Sequence, residues 1–355
     1  MKPRPCQEIA GFARGGRLLL RAVVLLACLL LSARVPLLAQ AASAAPAPKA
    51  TTGARALPFV VIKDKQYILL KDVAGFYGMK CLASGKLARL TSKYSNLLFT
   101  EGKRDFSLNG QTASLSYVIA RYKGNLAISV SDITEFVDPI LRTGILKPRT
   151  IRHIVLDPGH GGKDPGTMNG GINEKSVNLL IAKRVAAILK KRGYVVTVLR
   201  LSDKDMTLKQ RVEAAKKVKP DLYLSLHCNA AEDTSISGIE TYVPNPRNTP
   251  SSGGNTVAKN ASPSNAVDRE NALLGYTLQK ALVAATKAKD RGIKRKQFYV
   301  IRQQACPAAL IEIGFLSNEN ERKKLCQSEY HDKLAVAICD AVQKYENILK
   351  PKKKK

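Results

Sequence analysis

Two histidines and two glutamates stand in this sequence where ordinary packing explains them poorly. The chain holds only four histidines. One of them, His160, lies in Asp157-Pro158-Gly159-His160-Gly161-Gly162, and further glycines at 166, 170 and 171 carry the stretch to Asn173-Glu174. Glycine and proline punctuate turns because they supply backbone angles that other residues resist. The stretch therefore reads as a loop that presents His160 and ends where Glu174 opens a helix. His227 closes Leu222-Tyr223-Leu224-Ser225-Leu226-His227-Cys228-Asn229, whose leucines alternate with their neighbours in the period of a strand. Glu312 sits between Ile311 and Ile313 in a third apolar run. A carboxylate buried there is costly unless paired or protonated, and burial raises its pKa toward a value that suits a general base. An edge strand with Glu312 facing water is the alternative on pattern alone.

His160, Glu174 and His227 supply two imidazoles and one carboxylate. That is the donor set of a catalytic zinc, which keeps a fourth position open for water. The same set holds non-haem iron(II) in oxygenases, but those ligands usually come from antiparallel β folds and need no strand-borne carboxylate base. A phosphate cradle is disfavoured because Gly161-Gly162-Lys163 runs into Asp164-Pro165 rather than Ser or Thr, and Asp164 would repel phosphate. Cys228 and His227 do not form a nucleophile pair, since adjacent strand residues point to opposite faces; Cys228 is read as packing. His153 and His331 are read as structural. The residues themselves thus reach zinc-assisted amide hydrolysis, with Glu312 taking and passing on a proton.

The elements that must position these groups alternate. A strand from Ile154 leads through the glycine loop to an amphipathic helix from Glu174 to Lys191, then to a strand from Val195 to Leu199. A last helix from Glu329 to Tyr345 turns Leu334, Ile338 and Val342 inward. Ser317-Asn318, with Glu321 three residues after Asn318, reads as a helix cap. The alternation predicts a three-layer α/β fold around a central, mostly parallel sheet. His160 and His227 then fall at the carboxyl ends of strands, where open α/β sheets place their sites.

From about Ile151 to Tyr345 the chain resembles the zinc-dependent N-acetylmuramoyl-L-alanine amidases of bacterial cell walls, the amidase-3 type. The resemblance is carried by Asp157 to Gly162, Glu174-Lys175, Leu208 to Arg211, Ser225 to Ala230 and Gly238 to Tyr242. It continues through Arg291 to Ile293, Phe298 to Val300 and Glu312 to Asn318. It implies one zinc per catalytic domain on His160, Glu174 and His227, with Glu312 as the catalytic glutamate. It also implies that the bond cut is the amide between the muramic acid lactyl group and L-alanine of the peptidoglycan stem. Asn229, Glu240 and Arg291 match family positions near the cleft and are candidate substrate contacts. The sequence departs mildly, with Cys228 where a small residue is common and Ser176 where Asp is frequent. A zinc peptidase acting on wall peptides and an inactive wall-binding protein are the alternatives. Some relatives insert a plugging helix after the strand matching Ile239 to Val243. Here Pro244 to Ser264 is rich in Pro, Asn, Ser, Thr and Gly without an apolar helical period. A flexible rim loop, an open cleft and no required activator protein are expected.

The length of 355 residues leaves room for about two domains. Residues 1–41 read as an export signal, with Arg14, Arg17 and Arg21 before an apolar stretch and Ala39-Gln40-Ala41 as a cleavage site. Arg34 and Pro36 shorten that stretch below a comfortable membrane span, and export to the periplasm, wall or exterior is expected. Residues 42–56 read as a disordered linker. Residues 57–145 form a small β-rich α+β module, in which Gln66 to Gly78 and Asn125 to Val137 look alike, each a strand running into a short helix. The module resembles the amino-terminal-like domain of copper amine oxidases, without implying copper, and suggests wall attachment or a folding partner. The catalytic domain spans 151–348, and residues 349–355 form a basic tail. The net charge of +30 raises nucleic acid as a partner, but no stretch interleaves aromatic with basic residues as a recognition module would. Peptidoglycan and anionic wall or envelope polymers are the expected field instead. Of seven cysteines, Cys6 and Cys28 would leave with the signal; the odd remainder cannot all pair.

Overall fold

In the computed structural model, residues 57–351 are described, apart from 256 and 258. The expected signal, the linker and the last basic residues lie outside the described residues. The catalytic region is built on a sheet whose neighbours run, from one edge, Val195–Val198, His153–Pro158, Leu222–Asn229, Ala308–Phe315, Ile239–Val243 and Asp290–Arg295. All of these pairings are parallel except that between Ala308–Phe315 and Ile239–Val243. Both faces are covered, as parallel sheets require. Ile154 and Leu156 enter a core with Val177 and Ile181 of the helix Glu174–Lys191, Leu274 and Leu278 of Asp268–Thr286, and Leu334 and Ile338 of Ser328–Leu349. Val155, between them, enters the opposite core with Ala215 of the helix Leu208–Val218 and Val300 and Ile301 of Tyr299–Arg302. The three-layer α/β expectation holds. The strand expected to reach Leu199 stops at Val198, and the closing helix is longer at both ends than expected.

The amino-terminal region contributes two sheets' worth of strands. Val60–Ile62, Lys65–Leu69, Asn125–Ser129 and Ala120–Tyr122 form a four-stranded antiparallel sheet. The two look-alike segments meet in it, Ile68 opposite Ile128. The first runs into the helix Leu70–Phe76; the second runs through a short α turn into a π turn, Ile133–Val137. A five-stranded meander from Lys80 to Ser114 then extends the catalytic sheet. Its strand Gln111–Ser114 lies parallel to Asp290–Arg295, Ala113 opposite Ile293, giving one sheet of eleven strands. Gly292 permits the contact, since its φ is +88° and an added Cβ would come within 2.9 Å of the Thr112 carbonyl oxygen. Asp290 Oδ2 accepts from the Thr112 amide at 2.6 Å. Behind the seam, buried Arg295 pairs with buried Asp132, and its guanidinium lies 4.9 Å from the Phe136 ring centre.

The segment expected as a flexible rim loop carries hydrogen bonds at many of its described residues. Asn245, Thr249, Ser252 and Ser264 are buried. Asn245 Nδ2 donates to the Thr249 carbonyl at 2.8 Å, and the Ser252 amide donates to the Arg295 carbonyl at 2.7 Å. Arg104 reaches across to the Gly254 carbonyl (2.7 Å) and Asn255 Oδ1 (2.8 Å). Polar composition reads as disorder along the chain, yet here the same side chains satisfy backbone groups that would otherwise be stranded.

Candidate metal centre and catalytic cavity

Local sequence places the three donors on three elements. The strand His153–Pro158 breaks at Gly159, and His160 adopts a left-handed backbone with φ of +60°. Gly159 is required by approach rather than by its dihedral angle: an added Cβ would fall 2.1 Å from Cε1 of His227. The loop therefore lies directly on the second histidine's ring. Glu174 is the first residue of its helix, where the positive end of the helix dipole favours a carboxylate. One donor atom from each of His160, Glu174 and His227 lies within 4.8 Å of the others. Glu174 Oε1 stands 3.1 Å from His160 Nε2 and 3.0 Å from His227 Nδ1. Burial opposes ionisation of Glu174, but hydrogen bonds from the two histidines outweigh it and hold the carboxyl well below its usual range. Its Oε2 accepts from the Thr167 amide at 2.9 Å. On the far side of His160, Nδ1 meets Asp164 Oδ2 at 2.7 Å, the carboxylate–histidine arrangement that orients metal-binding imidazoles.

Glu312 lies on the next strand, in register with His227. It is half-buried, and its Oε2 is enclosed without a hydrogen-bond partner. Burial first, then the nearby Glu174 and Glu240 carboxylates, push its pKa well above the carboxylate range; Lys294 only partly opposes them. His160, His227 and Glu312 line one cavity of about 570 Å³, walled in part by Thr207, Phe298 and Tyr299.

Asn229 and Arg291, expected with Glu240 as substrate contacts, gather around the Glu240 carboxylate. None of them lines this cavity. Glu240 is directly opposite Glu312 on the antiparallel neighbour strand and is buried. Its Oε1 meets Arg291 Nε at 2.7 Å and Lys294 Nζ at 2.6 Å, its Oε2 accepts from the Tyr242 hydroxyl, and Asn229 Nδ2 approaches Oε2 at 3.4 Å. Burial disfavours the Glu240 charge, but Lys294, Tyr242 and Arg291 keep its pKa below the ordinary value. These residues form a charged cluster on the strands beside Glu312. Tertiary packing brought them there; Glu240 and Arg291 are 51 positions apart.

The residues read as structural sit as such. His153 Nε2 meets Thr197 Oγ1 at 2.8 Å, buried His331 bonds the Leu325 carbonyl, and buried Cys228 points its sulfur at Asn178 Oδ1, 3.5 Å away. Sequence reasoning gave no role to Asp157, which is buried and accepts from Arg211 Nη1 (2.5 Å), the Tyr223 hydroxyl (2.6 Å) and Ser225 Oγ (3.1 Å). Its position, at the break of an apolar strand, was the available signal.

A family model described as N-acetylmuramoyl-L-alanine amidase matches residues 154–344. The chain is similar to the N-acetylmuramoyl-L-alanine amidase LytC of Bacillus subtilis (strain 168), with 31% identity over 271 residues, 76% of this chain and 49% of that protein. It thus spans about half the length of that relative. The germination-specific N-acetylmuramoyl-L-alanine amidase of the same organism is 31% identical over 213 residues, covering 56% of this chain and 81% of the relative. Among solved structures, the N-acetylmuramoyl-L-alanine amidase from Clostridium difficile 630 shares 33% identity with a TM-score of 0.48, covering 56% of this chain and 98% of that one.

Proposed function

The chain belongs to the amidase-3 type of N-acetylmuramoyl-L-alanine amidases, and we propose on that premise that it hydrolyses the amide between the muramic acid lactyl group and L-alanine of peptidoglycan stem peptides. The observation that carries this reading is the convergence of His160, Glu174 and His227 beside Glu312, whose Oε2 is buried and unpartnered. Two imidazoles and an ionised carboxylate suit one zinc ion with an open coordination position, and we assign these three residues to hold it. When bound, zinc polarises the scissile carbonyl and makes water in the open position more acidic. Glu312 lines the same cavity and takes the proton from the attacking water. It then delivers that proton to the departing nitrogen as the C–N bond breaks, leaving a lactyl carboxylate and the free amine of L-alanine. A raised proton affinity suits both halves of this task. Glu240, neutralised by Arg291 and Lys294 and bonded by Asn229, is assigned to supporting Glu312 rather than to touching substrate.

We place residues 57–145 as a module whose paired strand–helix repeat supports its likeness to the amino-terminal-like domain of copper amine oxidases. The shared sheet and the Arg295–Asp132 pair favour its service as a folding partner of the catalytic region at 151–348. Residues 1–41 support export to the periplasm or cell wall. No helix among the described residues is long and apolar enough to cross a membrane. None of the described residues of the segment 244–264 lines the cavity, which favours activity without an activator protein. The charge of +30 favours association with anionic wall polymers. Mass spectrometry of digested sacculi tests the reaction. Released stem peptides should begin with L-alanine; shorter peptide fragments in their place would replace the amidase by a peptidase.

A further inference from the structure

The two metal-ligand segments that meet at His160 and Glu174 are joined by side chains of a third segment. Beyond the strand Val195–Val198 the chain turns, and Arg200 reaches inward with only 2% of its surface exposed. Its Nε donates to the Pro158 carbonyl at 2.9 Å, and its Nη2 donates both to the Gly159 carbonyl at 2.8 Å and to the Lys175 carbonyl at 2.7 Å. The first two carbonyls precede His160; the third follows Glu174. Among the described residues no carboxylate forms an ion pair with Arg200. Burying a guanidinium against carbonyls alone is expensive, and surface packing alone would not call for it.

Arg211 completes the arrangement from the next helix. Thr207 and Gln210 cap Leu208–Val218 reciprocally, which fixes Arg211 at the first turn. Arg211, 3% exposed, donates through Nη1 to the Pro158 carbonyl at 2.8 Å and through Nη2 to the carbonyl of His160 itself at 2.7 Å. Three consecutive carbonyls, 158 to 160, are thus held by two guanidinium groups. Asp203, three residues past Arg200, ties the same two segments again: Oδ1 accepts from the Gly162 amide (2.7 Å) and Oδ2 from Lys175 Nζ (2.6 Å).

We propose that Arg200, assisted by Arg211 and Asp203, is a positioning residue that fixes the separation of the His160 loop from the first turn of the Glu174 helix and so sets the protein's affinity for zinc. The planar fork is what the task requires. One guanidinium directs several donors at fixed angles and can bridge two backbones, whereas an ammonium is a point charge on a flexible stem. His160 is held in a left-handed backbone that non-glycine residues seldom adopt. Without the clamp the loop can relax, and the ligands must be reassembled when metal binds. This proposal rests on the zinc reading above.

The test is Arg200→Lys in the full chain, with zinc affinity measured by competition against a chromophoric chelator and melting followed with and without zinc. Loss of groups that orient metal ligands weakens metal affinity by about 10- to 100-fold, and that range is expected here. The rise in Tm on adding zinc should shrink, and kcat should recover at saturating zinc because no group touching substrate has changed. A merely structural Arg200 would lower the metal-free Tm and leave zinc affinity intact, which would overturn the proposal. Should Arg200→Lys not fold, Asp203→Asn decides alone, since Asp203 is exposed. It should bind zinc about tenfold more weakly, and unchanged affinity would overturn the clamp. Wild-type protein that takes up no zinc would remove the metal reading and this proposal together. Wild-type protein that binds zinc no better than the variants would remove the clamp alone.

Discussion

Replacing Glu312 by Gln keeps the shape of the side chain and removes its capacity to carry a proton from water to the leaving nitrogen. A positioned acid–base group contributes about 10²- to 10⁴-fold to rate, equivalent to about 3–5 kcal/mol of barrier, and kcat should fall by that factor. Zinc content should not change, because Glu312 is not among the three converging donors. Stability gives an independent reading. The Glu312 carboxyl stands against Glu174 and Glu240 with Oε2 enclosed and unpartnered. Its folded pKa is raised, so its stabilising contribution is complete below the unfolded carboxyl pKa of about 4.3 and is lost as pH climbs toward the folded value. A neutral amide escapes that loss. Metal-free Glu312→Gln should therefore gain stability relative to wild type as pH rises from 4 to 8. Peptide release from purified sacculi, metal analysis and melting at the two pH values together decide the matter. A zinc-loaded variant with activity within tenfold of wild type would remove Glu312 from the mechanism, and a variant no more stable at pH 8 than at pH 4, relative to wild type, would remove the electrostatic account of its site.

Gly159→Ala should lose zinc binding while the protein still folds, because the new methyl would collide with the His227 ring; unaltered zinc uptake would show that the loop has room to move. Asp132→Ala strands buried Arg295 at the seam between the amino-terminal region and the catalytic sheet. Breaking one partner of a buried pair costs about 3–5 kcal/mol, readable in urea unfolding, and an unchanged midpoint would mean the seam contributes little. Deleting Ser251 to Asn260 removes hydrogen bonds to Arg104 and Arg295 and should lower Tm without raising peptide release. A large rise in release would identify that loop as inhibitory.

Much of the site was legible because its signals are local. The period of two in Leu222 to His227, the glycine break after Pro158, the helix start at Glu174 and the Asn318 cap each depend on residues a few positions apart. Backbone dihedrals and side-chain directions are set over that range. The donor types of His160, Glu174 and His227 limited the metal chemistry before any coordinate was known. The long-range assignments were decided by folding. Nothing in the pattern of Gln111 to Ser114 says that this strand will lie beside Asp290–Arg295, since a backbone ladder is indifferent to sequence distance and the seam is fixed by tertiary contacts such as Gly292, the Asp290–Thr112 bond and the Arg295–Asp132 pair. Glu240 read as a candidate substrate contact, and only strand pairing set it opposite Glu312. For the loop after Val243, composition records polarity and not the partners, such as Arg104 and the Arg295 carbonyl, that its described residues meet. Arg200 carried no readable signal at all: its hydrogen bonds go to carbonyls, which every residue possesses, and only packing selects the carbonyls of Pro158, Gly159 and Lys175 from among them.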